Sequence, residues 1–431
     1  MKSDGTMVNA FVAGQAQLSA EETRMVERRQ KLLGPAYRLF YQHPLHIVQG
    51  QDVWLHAADG RKYLDAYNNV ASVGHCHPHV VAAIAKQAAI LSTNTRYLGD
   101  AILDYAERLI ATMPDALQHV MFTCTGSEAN DLAVRLSRDF TGNEGFIVTN
   151  NAYHGVTDAV SAMSPSLGPG VPLGKNVRTV PAPFGDGSAF AAGVEAAIAD
   201  LARAGVKPAA LMVDTIFSSD GVFADPAGFL TGAVEAVRRA GGVFIADEVQ
   251  AGFGRTGDGM WGFMRHGLVP ELVSLGKPMG NGYPVAGLVM QPKIVAGFGA
   301  RARYFNTFGG NSVAIAAASA VLDVIENQGL IENARQVGAY FLEGIKSLGA
   351  PQMGEVRGKG LFVGVDIVRG GVDDGAQAQR IVNGLRDAGI LISATGPRGH
   401  SLKIRPPLTF TAQHAELFVS QLGKVMRNTL A

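Results

Sequence analysis

The sequence predicts an α/β fold: a mainly parallel sheet covered by helices on both faces, joined to a small α+β domain. In the middle of the chain, six apolar runs alternate with helical segments, as the crossover connections of a parallel sheet require. After about Asn327 the pattern becomes helix, "GLFVGVDIV", helix, "SLKIRPPL", helix, which indicates a separate small domain. The six predicted strands of the sheet are HVMFTC, GFIVTN, AALMVDT, GVFIAD, LVSLG and VAGLVM.

The N-terminal region predicts a helix followed by antiparallel strands. Residues 19–22, Ser-Ala-Glu-Glu, fit a capping box, and the helix that they begin should end at Gly34-Pro35. Between Leu45 and Tyr67, short alternating strands around an Asp59-Gly60 turn predict an antiparallel meander. The predicted domains are residues 1–69, which join the small domain, the large domain 70–325, and the C-terminal small domain 326–431.

The composition favours a large soluble enzyme and excludes two classes of partner. The chain has 431 residues, of which 47% are hydrophobic, and its 37 basic residues balance 37 acidic ones. Because no excess of positive charge exists, neither nucleic acid nor an anionic membrane is expected as a partner. The beginning, "MKSDGTMVNA", lacks the apolar core of a signal peptide, and no apolar run is long enough to cross a bilayer. Cys76 and Cys124 have no paired spacing, so we expect both to be reduced and the protein to be cytoplasmic.

Polar residues follow several of the predicted strands, at the edge of the sheet where open parallel sheets bind ligands. A lone lysine after a strand, such as Lys277, is usually a solvated loop residue. However, Asp247 and Lys277 end two strands that one crossover separates. A partly desolvated lysine loses its proton readily and can condense with an aldehyde, and a nearby carboxylate can keep a pyridine nitrogen protonated. Together they predict a pyridoxal phosphate site.

A phosphate group needs its own binding site, and "MFTCTGSEAND" predicts one. Free N–H groups at the start of a helix, next to Gly126, form an anion site to which Ser127 can add a hydroxyl. The alternative is that these residues only cap the helix. Tyr153 could stack on the pyridine ring, although an aromatic residue at a strand end is more often part of the core.

Several segments resemble the class III (subgroup II) pyridoxal-phosphate aminotransferases, from about Gly34 to the C-terminus. They are "FIADEVQAGFGRTG", "LGKPMGNGYP" about thirty residues later, "GHCHP", "TGSEAND" and "FNTFGGN". "NNVASVGHCHP" and "GKPMGNGYPVAG" are similar to the branch with alanine–glyoxylate aminotransferase 2 and the phospholyases acting on phosphoethanolamine and phosphohydroxylysine. The resemblance implies fold type I, with a seven-stranded sheet, cofactor binding by the large domain, and a homodimer, with a tetramer as the alternative.

The resemblance also implies a role for each matching residue. Lys277 would bind the cofactor aldehyde and then move a proton between substrate and cofactor, while Asp247 would pair with the pyridine nitrogen. The other implied contacts are Val249 and Tyr153 on the two ring faces, Gln250 at the 3′-oxygen, Gly126 and Ser127 at the phosphate, and Thr307 at the phosphate of the other subunit.

Three neighbouring features are expected to have structural roles. Glu248 should point away from the site that Asp247 faces and have a structural partner. His154 is expected to be a hydrogen-bonding residue beside the site and not a base. The cluster "HCHPH" resembles a metal site, but alternation separates His75 and His77 from Cys76, so no metal is predicted.

The substrate end of the site is predicted from Arg405 in "SLKIRPPLTF", which matches the family arginine that grips a substrate carboxylate. In the phospholyase relatives a lysine usually takes this place, so Arg405 favours an aminotransferase. The sequence differs from the family pattern at two places in this region. Asp214-Thr215 stands where the family usually has Glu-Pro. Ser219 stands where many ω-amino acid aminotransferases have a glutamate that pairs with the arginine when the substrate has no α-carboxylate. Asn68 aligns with a variable substrate-side position.

The predicted function is amino transfer from an amino acid or amine to a 2-oxo acid, with pyruvate or glyoxylate preferred, in two half-reactions of a ping-pong mechanism. The first alternative is a lyase that eliminates phosphate from a phosphorylated amino alcohol. The second is a protein that binds pyridoxal phosphate without turnover, against which the intact lysine–aspartate pair argues.

Overall fold

The computed structural model describes residue 7 and residues 9–429. Residues 1–10, from which the absence of a signal peptide is predicted, therefore lie largely outside the described part of the chain. Within this part of the chain, no single helix is long and apolar enough to cross a membrane. One bent pair of helices, 312–327 with 330–346, has the length and composition of a membrane span only when the two helices are taken together. The α-helices are α1 Ala20–Leu33, α2 Pro78–Ala88, α3 Asp100–Ala111, α4 Gly126–Thr141, α5 Asp158–Ser161, α6 Ser188–Arg203, α7 Thr231–Arg239, α8 Pro292–Arg301, α9 Ser312–Asn327, α10 Leu330–Lys346, α11 Gly375–Asp387 and α12 Ala412–Asn428.

The strands form three sheets among the described residues. They are β1 Ile47–Gln51, β2 Trp54–Ala57, β3 Lys62–Asp65, β4 His119–Thr123, β5 Gly145–Thr149, β6 Val177–Val180, β7 Pro208–Asp214, β8 Val243–Asp247, β9 Leu272–Leu275, β10 Ala286–Met290, β11 Met353–Lys359, β12 Phe362–Arg369, β13 Val372–Asp373, β14 Ile390–Leu391, β15 Ser393–Thr395 and β16 Ser401–Ile404.

The largest sheet confirms the predicted α/β architecture. Its seven strands run in the order β4-β10-β9-β8-β7-β5-β6, and β9, β8, β7, β5 and β6 pair in parallel, whereas β10 is antiparallel to both neighbours. Successive residues of β8 enter two different apolar clusters: Phe244 and Ala246 join one, while Val243 and Ile245 join the other. Both faces of the sheet are therefore buried, as the continuous apolar strand sequences require.

All six strands predicted for this sheet are present, and one strand was missed. The missed strand is β6, which lies at the sheet edge and contains half-exposed Arg178 and Thr179 between two valines. Two polar residues in a four-residue strand leave no continuous apolar run for the sequence pattern to detect.

The predicted N-terminal elements are also confirmed. Ser19 caps α1 with both hydrogen bonds of a capping box, and the helix ends at Gly34. The meander β1–β3 continues into a four-stranded sheet because β14, from the C-terminal region, pairs in parallel with β3. The remaining sheet has the order β11-β12-β16-β15. The domain boundaries themselves stay a prediction.

This topology brings distant segments to one edge of the large sheet. Asp247 is the last residue of β8, and Lys277 begins a 3₁₀ turn two residues after β9. On the other side of β10, β4 runs into the N-terminus of α4 through Cys124 and Thr125. The carboxyl ends of these strands therefore meet where a ligand site is expected.

Candidate active site

A cavity of about 320 Å³ lies at this edge, and seven of the ten predicted site residues line it. The seven are Gly126, Ser127, Tyr153, Asp247, Val249, Gln250 and Lys277. The other three, Asn68, Thr307 and Arg405, are not part of its wall. The carboxyl ends of the strands thus bring together one set of residues that the sequence pattern singled out.

Asp247 is held rigidly in the wall of the cavity. Its side chain is buried, and its Oδ2 atom lies 2.7 Å from Nδ1 of His154 and 2.9 Å from Nδ2 of Asn130. The other oxygen, Oδ1, accepts a hydrogen bond of 3.1 Å from the backbone amide of Val249. A carboxylate with three donors has a fixed orientation and stays available to a further positively charged group. His154 is thus a hydrogen-bonding residue beside the site, as predicted.

Glu248 points away from the cavity and has structural partners, which confirms the prediction. Its fully buried carboxylate accepts hydrogen bonds from Thr215 Oγ1 at 2.7 Å and from the backbone amides of Gly262 and Phe263 at 2.7 and 2.8 Å. Burial raises the pKa of Glu248 to about 7, against the opposing effect of these bonds. Glu248 therefore connects the loop after β7 to the segment after β8 by hydrogen bonds. Of the two acids, Asp247 lines the cavity and Glu248 does not.

Lys277 presents its amine to the same cavity. Burial lowers the pKa of Lys277, as does the charge of Arg405, while Asp247 and Asp214 oppose this shift. Its Nζ atom lies 5.9 Å from the ring centroid of Tyr153. A lysine with a lowered pKa has a larger neutral fraction, which is the form that attacks an aldehyde.

The N-terminus of α4 offers free amides to an anion. Thr125 Oγ1 accepts from the amide of Glu128 at 3.2 Å, and the Glu128 carboxylate accepts from the amide of Thr125 at 2.9 Å, which completes a capping box. Within the described chain, the amides of Gly126 and Ser127 have no acceptor. Such amides at the start of a sixteen-residue helix are suited to a phosphate group.

Two glycines let the backbone approach this anion site closely. A Cβ atom at Gly126 would lie 2.9 Å from Cγ2 of Val249, and one at Gly155, where φ is +137°, would lie 2.5 Å from Oγ of Ser127. Ser127 Oγ also accepts a 3.1 Å hydrogen bond from the amide of Val156. The amine, the anchored carboxylate, the helix amides and the aromatic ring fit the aldehyde, pyridine nitrogen, phosphate and ring face of pyridoxal phosphate.

Asn68 and Thr307 lie away from the cavity wall. Asn68 Oδ1 accepts a 3.1 Å hydrogen bond from the amide of Val70, so this side chain is engaged in its own turn. Its neighbour Asn69 reaches the cavity residue Gln250 instead. Thr307 is exposed on the loop between α8 and α9, next to Phe308, which is 68% exposed.

Arg405 is buried beside the cavity. Its backbone amide donates to the carbonyl of Ala66 at 2.8 Å, and its guanidinium carbon lies 5.0 Å from the ring centroid of Tyr67. The Nε and Nη1 atoms are buried, and neither has a hydrogen-bond partner in the described chain. Buried donors without partners are costly unless an anionic ligand or water satisfies them, so Arg405 is available to bind an anion.

Lys403 is a second buried cation that the sequence reasoning missed. It is 6% exposed, and its Nζ atom lies 5.9 Å from the Phe362 ring centroid, while the Arg405 guanidinium lies 6.0 Å from the same ring. Burial and the charge of Arg405 lower the pKa of Lys403 well below its ordinary value, and Asp214 opposes this. The period of two in "LKIR" places both cations on one face of a strand, and this signal could have identified Lys403.

Asp214, which replaces the usual glutamate, lines the cavity at the end of β7. Its oxygens accept from the backbone amides of Ile216 at 3.1 Å and Ser218 at 3.0 Å. Burial and the charge of Asp247 raise the pKa of Asp214. The cavity therefore has acids at the ends of β7 and β8, and Lys277, Lys403 and Arg405 lie near enough to Asp214 to interact with it electrostatically.

Comparison with known proteins agrees with this geometry. A family model described as aminotransferase class-III matches residues 39–426. The alanine–glyoxylate aminotransferase 2-like protein of Drosophila melanogaster is 39% identical over 96% of this chain and 90% of its own length. The ethanolamine-phosphate phospho-lyase homolog 1 of Caenorhabditis elegans is 33% identical and covers 93% of each chain. The solved structure of an Arthrobacter phospholyase in complex with phosphoethanolamine has 40% identity and a TM-score of 0.90, covering 94% of this chain and 99% of the other.

Proposed function

Because the chain belongs to the class-III aminotransferase family and is a pyridoxal-phosphate-dependent enzyme, we propose that it transfers an amino group from an amino acid or amine to a 2-oxo acid. The observation that carries this proposal is the pair Lys277 and Asp247 in one cavity with the free amides of α4. When bound there, pyridoxal phosphate supplies an electron sink that stabilises negative charge on a substrate carbon. Pyruvate and glyoxylate are the preferred acceptors in a ping-pong sequence of two half-reactions.

Each residue then has a definite task. Lys277 would hold the cofactor through its aldehyde, and its Nζ amine would move a proton to and from the substrate carbon. Asp247 keeps the ring nitrogen protonated, and His154 keeps Asp247 in place. The remaining cofactor contacts are Val249 and Tyr153 on the ring faces, Gln250 at the 3′-oxygen, and Gly126 and Ser127 at the phosphate.

The substrate carboxylate is assigned to Arg405, whose Nε and Nη1 atoms have no partner in the described chain. A planar guanidinium with free donors suits a carboxylate better than an ammonium group does. Ser219 offers no carboxylate that could pair with Arg405 when the substrate lacks one. This supports a substrate pair in which at least one partner has an α-carboxylate.

The second candidate function is elimination of phosphate from a phosphorylated amino alcohol. Lys403 and Arg405 are both buried, and neither makes an ion pair with an acid among the described residues. A dianionic phosphate would neutralise both cations, which one carboxylate does not. The similarity to the Arthrobacter phospholyase supports the same alternative.

Single-turnover absorbance measurements separate the two functions. With the aminotransferase, amino donors convert the bound cofactor to its aminated form, and pyruvate or glyoxylate restores the original spectrum without release of phosphate. Borohydride reduction before turnover should attach the cofactor to the peptide that contains Lys277. Release of inorganic phosphate from phosphoethanolamine, without any oxo-acid-dependent recovery, would identify the lyase instead, and a label on another lysine would overturn the site.

We also propose a homodimer in which Thr307 reaches the phosphate in the partner's site. The exposed position of Thr307 and of Phe308 beside it is consistent with an interface at this loop. Thr307→Ala should weaken cofactor binding about fivefold, the effect of one lost hydrogen bond of about 1 kcal/mol. Cofactor retention during dialysis measures this, with Thr231→Ala at the start of α7 as the control. An active monomer in sedimentation, or unchanged retention in the Thr307 variant, contradicts the proposal.

A further inference from the structure

The side chain of Asn69 connects the N-terminal region to a residue in the cavity wall. It is 2% exposed, and its Nδ2 atom lies 3.1 Å from the backbone oxygen of Gln250 and 3.1 Å from Oε1 of the same residue. Gln250 lines the cavity, whereas Asn69 does not. The Asn69 side chain is therefore placed to act on the cavity through Gln250.

The hydrogen-bond pattern determines the orientation of both side-chain amides. The backbone oxygen of Gln250 can only accept, so the Asn69 atom that faces it must be the donor Nδ2. The same Nδ2 group also faces the side chain of Gln250, so the atom presented by Gln250 must be the acceptor Oε1. This leaves Gln250 Nε2 as a donor without an acceptor among the described residues, at the wall of the cavity.

We infer that Asn69 is a positioning residue that holds the Gln250 side chain with Nε2 as the group offered to the cavity. The inference rests on the proposed function, in which Gln250 reaches the 3′-oxygen of the cofactor. A donor at that oxygen stabilises negative charge on it, whereas the opposite amide orientation would place two acceptors against each other. Asn69 thus sets the polarity of this hydrogen bond without touching the cofactor.

The direction of the Gln250 hydrogen bond affects the pH at which the absorbance of the bound cofactor changes. A negatively charged 3′-oxygen attracts the proton on the nitrogen that Lys277 contributes to the bound cofactor. A donated hydrogen bond from Gln250 weakens that attraction, so the proton leaves at a lower pH. Loss of the donor therefore raises the pH midpoint of the absorbance change of the bound cofactor.

Absorbance titrations of four variant holoenzymes, each compared with the wild type, test the inference. Gln250→Ala should raise the midpoint by about one pH unit, the size expected for a hydrogen bond to a charged group. Asn69→Ala should raise it by about half a unit or more, because the freed Gln250 amide then samples both orientations. The double variant should show no shift beyond that of Gln250→Ala. As a control, Asn143→Ala removes an amide that donates to the carbonyls of Pro208, the first residue of β7, and of Gly241, just before β8, and it should leave the midpoint unchanged.

The outcomes distinguish this inference from the proposal on which it rests. If Gln250→Ala leaves the midpoint in place, the assignment of Gln250 to the cofactor is wrong. If Gln250→Ala shifts the midpoint but Asn69→Ala does not, or if the Asn69 shift persists in the double variant, the inference alone is wrong. Should Asn69→Ala not fold, Asn69→Asp decides: an acceptor-only side chain turns Nε2 toward itself and raises the midpoint beyond that of Gln250→Ala. An unchanged midpoint in Asn69→Asp overturns the inference.

Discussion

Replacement of Asp247 by asparagine should leave the cofactor bound and lower the rate of amino transfer by about a hundred- to a thousandfold. The amide oxygen of the variant can still accept from His154 and Asn130, while its NH2 group loses the hydrogen bond that Asp247 accepts from the Val249 amide. The negative charge that keeps the ring nitrogen protonated is lost, and its main effect is on the transition state, in which charge develops on the cofactor. The barrier should rise by about 3 to 4 kcal/mol.

Single-turnover rates with a saturating amino donor measure this effect, and cofactor content measured by absorbance shows that binding is retained. Asp186→Asn is a matched control, because Asp186 is an exposed loop aspartate whose partner is the nearby Ser188. The control should keep the wild-type rate. Turnover of Asp247→Asn within a few fold of wild type would show that Asp247 does not hold the ring nitrogen.

Arg405→Lys should lower kcat/KM for the 2-oxo acid by roughly ten- to a thousandfold, equivalent to about 1.4 to 4 kcal/mol. The substitution keeps the charge but removes the planar arrangement of donors that binds a carboxylate through two hydrogen bonds. An amine donor without a carboxylate should be much less affected in its own half-reaction. Arg335→Lys, in an exposed ion pair with Glu332, controls for the substitution itself.

The same variant separates the two candidate functions. If the enzyme is instead a phospholyase, Arg405→Lys should leave phosphate elimination from phosphoethanolamine largely intact, because the family resemblance implies a lysine at this position in phospholyases. Lys403→Met extends the comparison: loss of phosphate release in this variant, with the oxo-acid half-reaction retained, would assign the two buried cations to different substrates. An unchanged oxo-acid half-reaction in Arg405→Lys removes Arg405 from the site.

The sequence predicts the parts of the fold and site that depend on local pattern. The strands of the large sheet are continuous apolar runs, and the lining residues follow such runs directly, so their common edge could be inferred. The direction of β10 could not be inferred, because an apolar strand has the same sequence pattern in a parallel and in an antiparallel pair. The contact of Asn69 with Gln250 joins residues 181 positions apart, and only the folded chain shows it. Lys403 could have been predicted from the sequence, because it lies two positions before Arg405 and so on the same face of a strand.

The parallel pairing of β3 with β14 has a consequence for the order in which the polypeptide acquires structure. During synthesis, the β3 edge of the meander stays unpaired until β14 has been made, and until then it is open to pairing with the wrong strands. The buried hydroxyl of Tyr41 donates to the carbonyl of Ile392, 351 residues later, and so has no native acceptor until almost the whole chain has left the ribosome. Contacts this distant make folding slow, because a large loop must close before they form. The β3–β14 pairing and the Tyr41–Ile392 hydrogen bond therefore form late in synthesis, after every residue that lines the cavity has already been made.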